Sequence, residues 1–196
     1  MRKEETRKIS FIIGLIILIF SIFYAFLGKN HWYFPAVIGA WLFFDYLSSI
    51  KNKKTTFSLI LNKKWRKFFQ IYFLLLFLGI SIEIIGQYFF KWWFYPKLPK
   101  FIMIIIIPIF YPFILMSFRD MYVIIKAKFK NITVSITLTS ILGIIIWEIP
   151  NLFSRDWIYT IHFFPELFGI NLLIILLWPL LIILPLEIYN KIIFYS

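Results

Sequence analysis

Six apolar stretches of about 18–23 residues divide this chain, and each is long enough to cross the ~30 Å hydrocarbon core of a bilayer as a helix. They occupy Ile9–Leu27, Trp32–Ile50, Phe68–Phe90, Phe101–Phe118, Ile132–Ile149 and Leu167–Tyr189. Hydrocarbon cannot satisfy free backbone groups, so a spanning segment must be helical or belong to a closed barrel. A barrel needs short alternating segments, and the sequence has none. The expected fold is therefore all-α: a polytopic transmembrane helical bundle of six spans, a single integral membrane domain over 1–196. Hydrophobic residues make up 62% of the chain, against ~45–50% in soluble domains. That leaves no room for a sizeable soluble domain. The opening MRKEETRK precedes an apolar run too long for a signal peptide, so the first helix reads as retained.

The formal net charge is +12. Basic residues lie between the apolar runs rather than in a separate module, which excludes a nucleic-acid-binding role. Of the 21 Lys and Arg, sixteen fall on the side that holds Arg2, Lys8, Lys51–Lys67 and Lys126–Lys130, and five on the other. The positive-inside rule then places both termini in the cytoplasm of a multi-pass cell-membrane protein. Within Lys51–Lys67 the segment Thr56–Leu61 reads as interfacial, with Trp65 at the headgroups. Asn131-Ile132-Thr133 matches a glycosylation acceptor on the cytoplasmic side, where it is a chance match. The absence of cysteine excludes disulfides, thiolate catalysis and Cys-based metal centres. His31, His162 and Glu166 lie in outer loops without paired ligand spacing, so no metal site is read and the cofactor is unknown.

Two acids stand out. Glu83 lies inside an apolar span and Glu148 at the end of another. A carboxylate there costs roughly 2.5–3.5 kcal/mol on insertion scales, so it faces protein or water and marks a functional site. The spans also read as helical hairpins repeated in one orientation. Their outer tips carry Trp32-Tyr33-Phe34-Pro35, Trp93-Phe94-Tyr95-Pro96 and Trp157-Ile158-Tyr159. Glu83 precedes Trp92 by nine residues and Glu148 precedes Trp157 by nine. The second helix of each hairpin ends in an acid: Asp45, Asp120 and Glu187.

Helix three carries Gly79, Glu83, Gly86 and Gln87 on one face. Helix five carries Thr133, Thr137, Ser140, Trp147, Glu148 and Asn151 on a comparable stripe. Small and polar stripes join membrane helices, so the two faces form either a packing seam or the wall of a polar chamber. Two carboxyls sharing a dry pocket compete for charge, which suits one to hold a proton and act as a general acid. Trp92, Trp93, Trp147, Trp157 and Tyr159 surround this region, and aromatic faces stabilise positive charge. With Gln87 and Asn151 they are the expected ligand-binding residues.

The pattern Glu148…Trp157-Ile158-Tyr159…Pro185-Leu186-Glu187, with Glu83…Trp93-Phe94-Tyr95 as a partial copy, resembles the membrane-embedded lycopene cyclases of carotenoid synthesis. The similarity spans Leu78–Asn190. That family pairs an intramembrane acid and a Trp-x-Tyr with a Pro-x-Glu-Glu motif. Here Ile188 replaces the second glutamate. The resemblance implies catalytic roles for Glu83, Glu148 and Glu187 on an isoprenoid. Trp41–Asp45 followed by the Glu83 motif also resembles polytopic bacterial membrane proteins without an assigned activity. Three readings follow: a membrane protein whose polar seam binds a lipid, small ligand or partner subunit; a lipid- or isoprenoid-modifying enzyme; and a small carrier.

Overall fold

The computed structural model describes residues 3–51, 54–161, 164–167 and 169–194. Arg2 and Lys53, used for orientation above, and His162 lie outside them. The long helices are α1 (Lys3–Phe26), α2 (Tyr33–Lys51), α4 (Trp65–Glu83), α5 (Lys100–Phe129) and α6 (Ile132–Ser154), with short α3 (Thr56–Leu61) after α2. A π-helix, Ile84–Phe89, extends α4. The last span is broken into α7 (Leu172–Leu177) and α8 (Leu180–Phe194). Among the described residues six segments are long and apolar enough to cross a membrane. The chain is an all-α integral membrane protein, as its apolar periodicity requires.

Helix α5 is the centre of the bundle and packs on α2, α4, α6 and α8, while α1 lies outside against α2 and α6. Gly14 and Gly39 bring α1 and α2 into backbone contact. A Cβ on Gly39 would lie 2.7 Å from the amide nitrogen of Leu18. Ser10, Ser21 and Ala25 continue this buried small-residue line on α1, the usual way membrane helices approach closely. The opposite faces present Ile12, Phe20, Phe23 and Phe73 outward, as lipid contact requires.

Three expectations change. Helix four continues well past Phe118, to Phe129. The last span starts at Leu172 rather than Leu167, because Asn171 caps it by accepting from the Leu173 amide at 3.0 Å. Pro179 then lacks the donor needed to carry the helix through, and the chain turns at Trp178–Pro179. Of the two arrangements open for helices three and five, a packing seam or the wall of a chamber, the seam gives way, because α4 and α6 each pack chiefly on α5. The buried line on α6 runs in steps of four through Ser135, Thr139, Gly143, Trp147 and Asn151. Thr133 and Thr137 lie two residues off that line, about 200° around the helix, and are exposed. Asn131 is the N-cap of α6, accepting from the Val134 amide at 3.1 Å, which gives that residue a structural reason.

At the end of the bundle away from the aromatic tips lies a buried polar knot. Asp45 accepts from the Thr55 hydroxyl at 2.7 Å, the Thr56 hydroxyl at 3.2 Å and the Phe57 amide at 2.9 Å. It thereby fixes the start of α3. Arg119 pairs with Asp120 at 2.6 Å, donates to the Lys54 carbonyl at 3.2 Å and lies 4.6 Å over the Tyr189 ring. All of these polar side chains are buried. Two of the three hairpin-end acids therefore meet here, whereas Glu187 is exposed on α8.

Breaking one partner of a buried ion pair costs about 3–5 kcal/mol, because the other charge is left uncompensated. Arg119→Met is expected to lower the unfolding midpoint in detergent by several degrees. Gly39→Leu should do the same by forcing α1 from α2. Thermal unfolding of purified variants checks both.

Candidate functional site

Glu83 closes α4, and donors from two other parts of the chain surround its carboxylate. Oε1 accepts from the Tyr95 hydroxyl at 2.8 Å and from the Tyr111 hydroxyl, and Oε2 from the Gln87 amide and from the Trp93 indole at 3.3 Å. Glu148, in α6, repeats the arrangement with fewer donors. Its Oε1 accepts from the Tyr159 hydroxyl at 2.8 Å and its Oε2 from the Trp157 indole at 3.4 Å. A hydrogen bond to a charged group contributes about 1.5–3 kcal/mol, so two or three offset the ~2.5–3.5 kcal/mol insertion cost of a carboxylate.

The two centres are related by the strands that supply their donors. Strands β1 (Trp93–Phe94) and β2 (Ile158–Tyr159) pair antiparallel, Trp93 opposite Tyr159 and Phe94 opposite Ile158. Trp93-Phe94-Tyr95 thus corresponds to Trp157-Ile158-Tyr159 by a local two-fold relation. Each triplet follows a basic residue with positive φ, Lys91 or Arg155, both at 52°. The acid-to-Trp separation is 10 in one copy and 9 in the other, and the acid-to-Tyr separation 12 and 11. The partner of Trp157 is therefore Trp93, not Trp92 as equal spacing suggests. The extra residue is absorbed in the π-helix, the form an inserted residue takes inside an α-helix. Gly86 lies in that segment and seats Trp93, since a Cβ there would fall 1.7 Å from the indole ring.

Between the centres lies a cavity of about 320 Å³. Its wall is almost wholly apolar: Trp92, Trp93, Tyr95, Tyr111, Trp147, Trp157, Tyr159 and Trp178, completed by Tyr33, Phe110, Phe118 and aliphatic side chains. Among the described residues Glu148 is the one acid on that wall. Glu83 stands behind it, its donors Trp93, Tyr95 and Tyr111 forming the lining. Among the described residues the Trp147 indole N–H and the Tyr33 hydroxyl are buried without a partner, a situation that calls for a specific explanation in a native protein.

Of the residues expected from the sequence, Glu148, Trp92, Trp93, Trp147, Trp157 and Tyr159 share the cavity. Glu83 and Gln87 bond to each other behind the wall. Asn151 has a different task. Its side chain bonds the backbone N–H and C=O of Trp157 at 3.1 and 2.9 Å and so holds β2 in place. Glu187 neither lines the cavity nor is buried. Tyr95, Tyr111 and Trp178 were not foreseen. Tyr95 had a signal, as the last member of the Trp-x-Tyr triplet. Tyr111 and Trp178 lie beside Pro112 and Pro179 and had none.

The tips of the hairpins close the site from above. Trp32 stacks between Trp147 and Trp157, with ring centroids 5.9 and 6.1 Å away, and donates to the Ser154 hydroxyl at 2.8 Å. The His31 amide donates to Asp156 at 2.8 Å, and Lys97 to the Ser154 carbonyl at 2.6 Å.

No family model, no curated protein and no solved structure matches this chain.

Burial foremost, and then the neighbouring carboxylate, push the Tyr95 and Tyr159 hydroxyls well above the ordinary tyrosine value of 10. Both therefore remain donors throughout the neutral range. Their contribution to stability is complete below the unfolded-state value. It is lost as pH rises above it, because the unfolded chain then ionises while the folded one does not. The unfolding midpoint should accordingly fall as pH rises above about 10, the unperturbed tyrosine value. Tyr95→Phe/Tyr159→Phe should show a shallower fall, measured by thermal unfolding across that range.

Proposed function

We propose that this protein binds the unsaturated hydrocarbon part of a membrane lipid, of the isoprenoid class, and isomerises it by proton transfer through Glu148. The observation that carries this reading is the single carboxyl group on an otherwise aromatic and aliphatic cavity wall. An aqueous metabolite would need several convergent polar groups there. A hydrocarbon needs only shape, and a proton donor if it is to react.

The reaction balances without a cofactor. The protonated carboxyl of Glu148 gives its proton to one carbon of a C=C bond. The π pair forms the new C–H bond and the O–H pair stays on the carboxylate. The adjacent carbon becomes a cation within reach of the indole faces of Trp93, Trp147, Trp157 and Trp178, which favour positive charge. A second C=C of the same chain can attack that cation and close a ring. A neighbouring C–H then returns a proton to Glu148, its pair forming the new double bond. Product and substrate have the same mass. Tyr159 and Trp157 position the carboxyl, and Glu83 organises the opposite strand. This reading agrees with the resemblance to lycopene cyclases in the acid and the Trp-x-Tyr triplet. It assigns no role to Glu187. We place the protein in the cell membrane with both termini cytoplasmic, on the distribution of Lys and Arg.

The test is mass spectrometry of membrane lipid extracts from cells lacking the gene, complemented with wild type, or complemented with Glu148→Gln at matched expression. The expected result is a lipid that accumulates on deletion and that wild type converts to an isomer of identical mass and altered retention. Glu148→Gln should lower this conversion by about 10²-fold or more, the usual contribution of a general acid. Identical extracts from all three strains would exclude the isomerase and leave a binding or carrier role.

A further inference from the structure

The cavity reaches the apolar outer surface of the bundle at three of its lining residues. Its wall there is formed by Ile85 of the π-helix and by Leu180 and Leu184 of α8. These same residues are 45%, 47% and 40% exposed on the outer surface. Helices α4 and α8 are neighbours. The two irregular helical elements, the π-helix and the turn at Trp178–Pro179, both border the opening.

Packed elements flank the cavity elsewhere. Above the cavity lie the β1–β2 pair and Trp32, which is 1% exposed. Towards the opposite end the fully buried Phe118 and Ile182 are followed by the Asp45–Arg119–Asp120 knot. A volume of about 320 Å³ is at the low end of the ~300–1,000 Å³ of small-molecule pockets. It holds a segment of a long lipid rather than the whole molecule.

We propose that the gap between Ile85 and Leu180/Leu184 is a lateral portal through which one end of a long unsaturated lipid enters from the bilayer, the remainder of the chain staying in hydrocarbon. The occupant follows from continuity: the residues that meet bulk lipid outside are those that line the cavity inside, and no polar group interrupts them. This inference rests on the lipid-binding part of the reading above and not on its chemistry.

The protein has no cysteine, so single cysteines can be placed and modified selectively. The experiment reconstitutes the full chain in phosphatidylcholine vesicles containing a long polyisoprenoid that carries a diazirine at its hydrocarbon end. After photolysis, labelled peptides are mapped by mass spectrometry. Wild type is expected to be labelled on the α6 and β2 segments around Trp147 and Trp157. Ile85→Trp/Leu184→Trp should lower that labelling at least tenfold, while Ile141→Trp, exposed on α6 away from the cavity, leaves it unchanged. To keep the result independent of folding, Leu184→Cys is purified and then blocked with a bulky maleimide, and should lose labelling on modification. Undiminished cavity labelling in the blocked proteins would overturn the portal, as would labelling confined to the outer surface in wild type. Portal-dependent labelling in a wild type that converts no lipid would sustain this inference and remove the isomerase alone.

Discussion

Hydrocarbon offers a carboxyl group no hydrogen bond, so the oxygens of Glu83 and Glu148 must find their donors within the protein. Much of the half of the bundle that carries the aromatic tips follows from that requirement. The nearest donors along each helix are too few, and the chain folds back after the span to bring a Trp and a Tyr onto the acid above it. Returning strands carry their own unpaired backbone groups. These are satisfied when β1 and β2 pair with each other, so one small sheet meets the needs of both centres. The cavity is the space left where bulky rings, held by these bonds, cannot close on one another.

The polar groups of the bundle are divided between its two ends, and the ends differ in kind. At one, Asp45 is bonded by two threonine hydroxyls and a backbone amide, and Arg119 by Asp120 and a backbone carbonyl, within a packed region. That arrangement ties α2, α3 and α5 together. At the other, the acids are held by aromatic side chains that also line a cavity. Buried charge in membranes marks function by default, and the second end combines it with room for a ligand.

The number of spans and the site's main residues could be read from the sequence because both have local signals. Apolar runs give the spans, and an acid inside such a run is conspicuous. The correspondence of Trp93-Phe94-Tyr95 with Trp157-Ile158-Tyr159 is visible as well, whereas the equal nine-residue spacing through Trp92 is one residue short of the indole that bonds Glu83. Helical periodicity carries no sign of a π-helix. The position of α5 between α4 and α6 was hidden for another reason: in an apolar bundle nearly every helix face is hydrophobic, so the pattern does not say which neighbour each face meets. Tyr111 became part of the Glu83 centre only through that packing. The break at Trp178–Pro179 was legible as a proline, but not as the means of turning an indole into the cavity.

The pairing of Trp93 with Tyr159 places one donor to each acid on the same rung of a two-stranded ladder. Neither carboxyl can change its bonding geometry without displacing a strand that the other depends on. The two centres therefore form one mechanical unit, and their energies cannot be assigned residue by residue. Substitutions made singly at the two acids will not sum to the double substitution, because contacting groups that share a backbone element couple. A ligand that moves Tyr159 from one face of this sheet is felt, through a single pair of backbone partners, on the far side of the cavity.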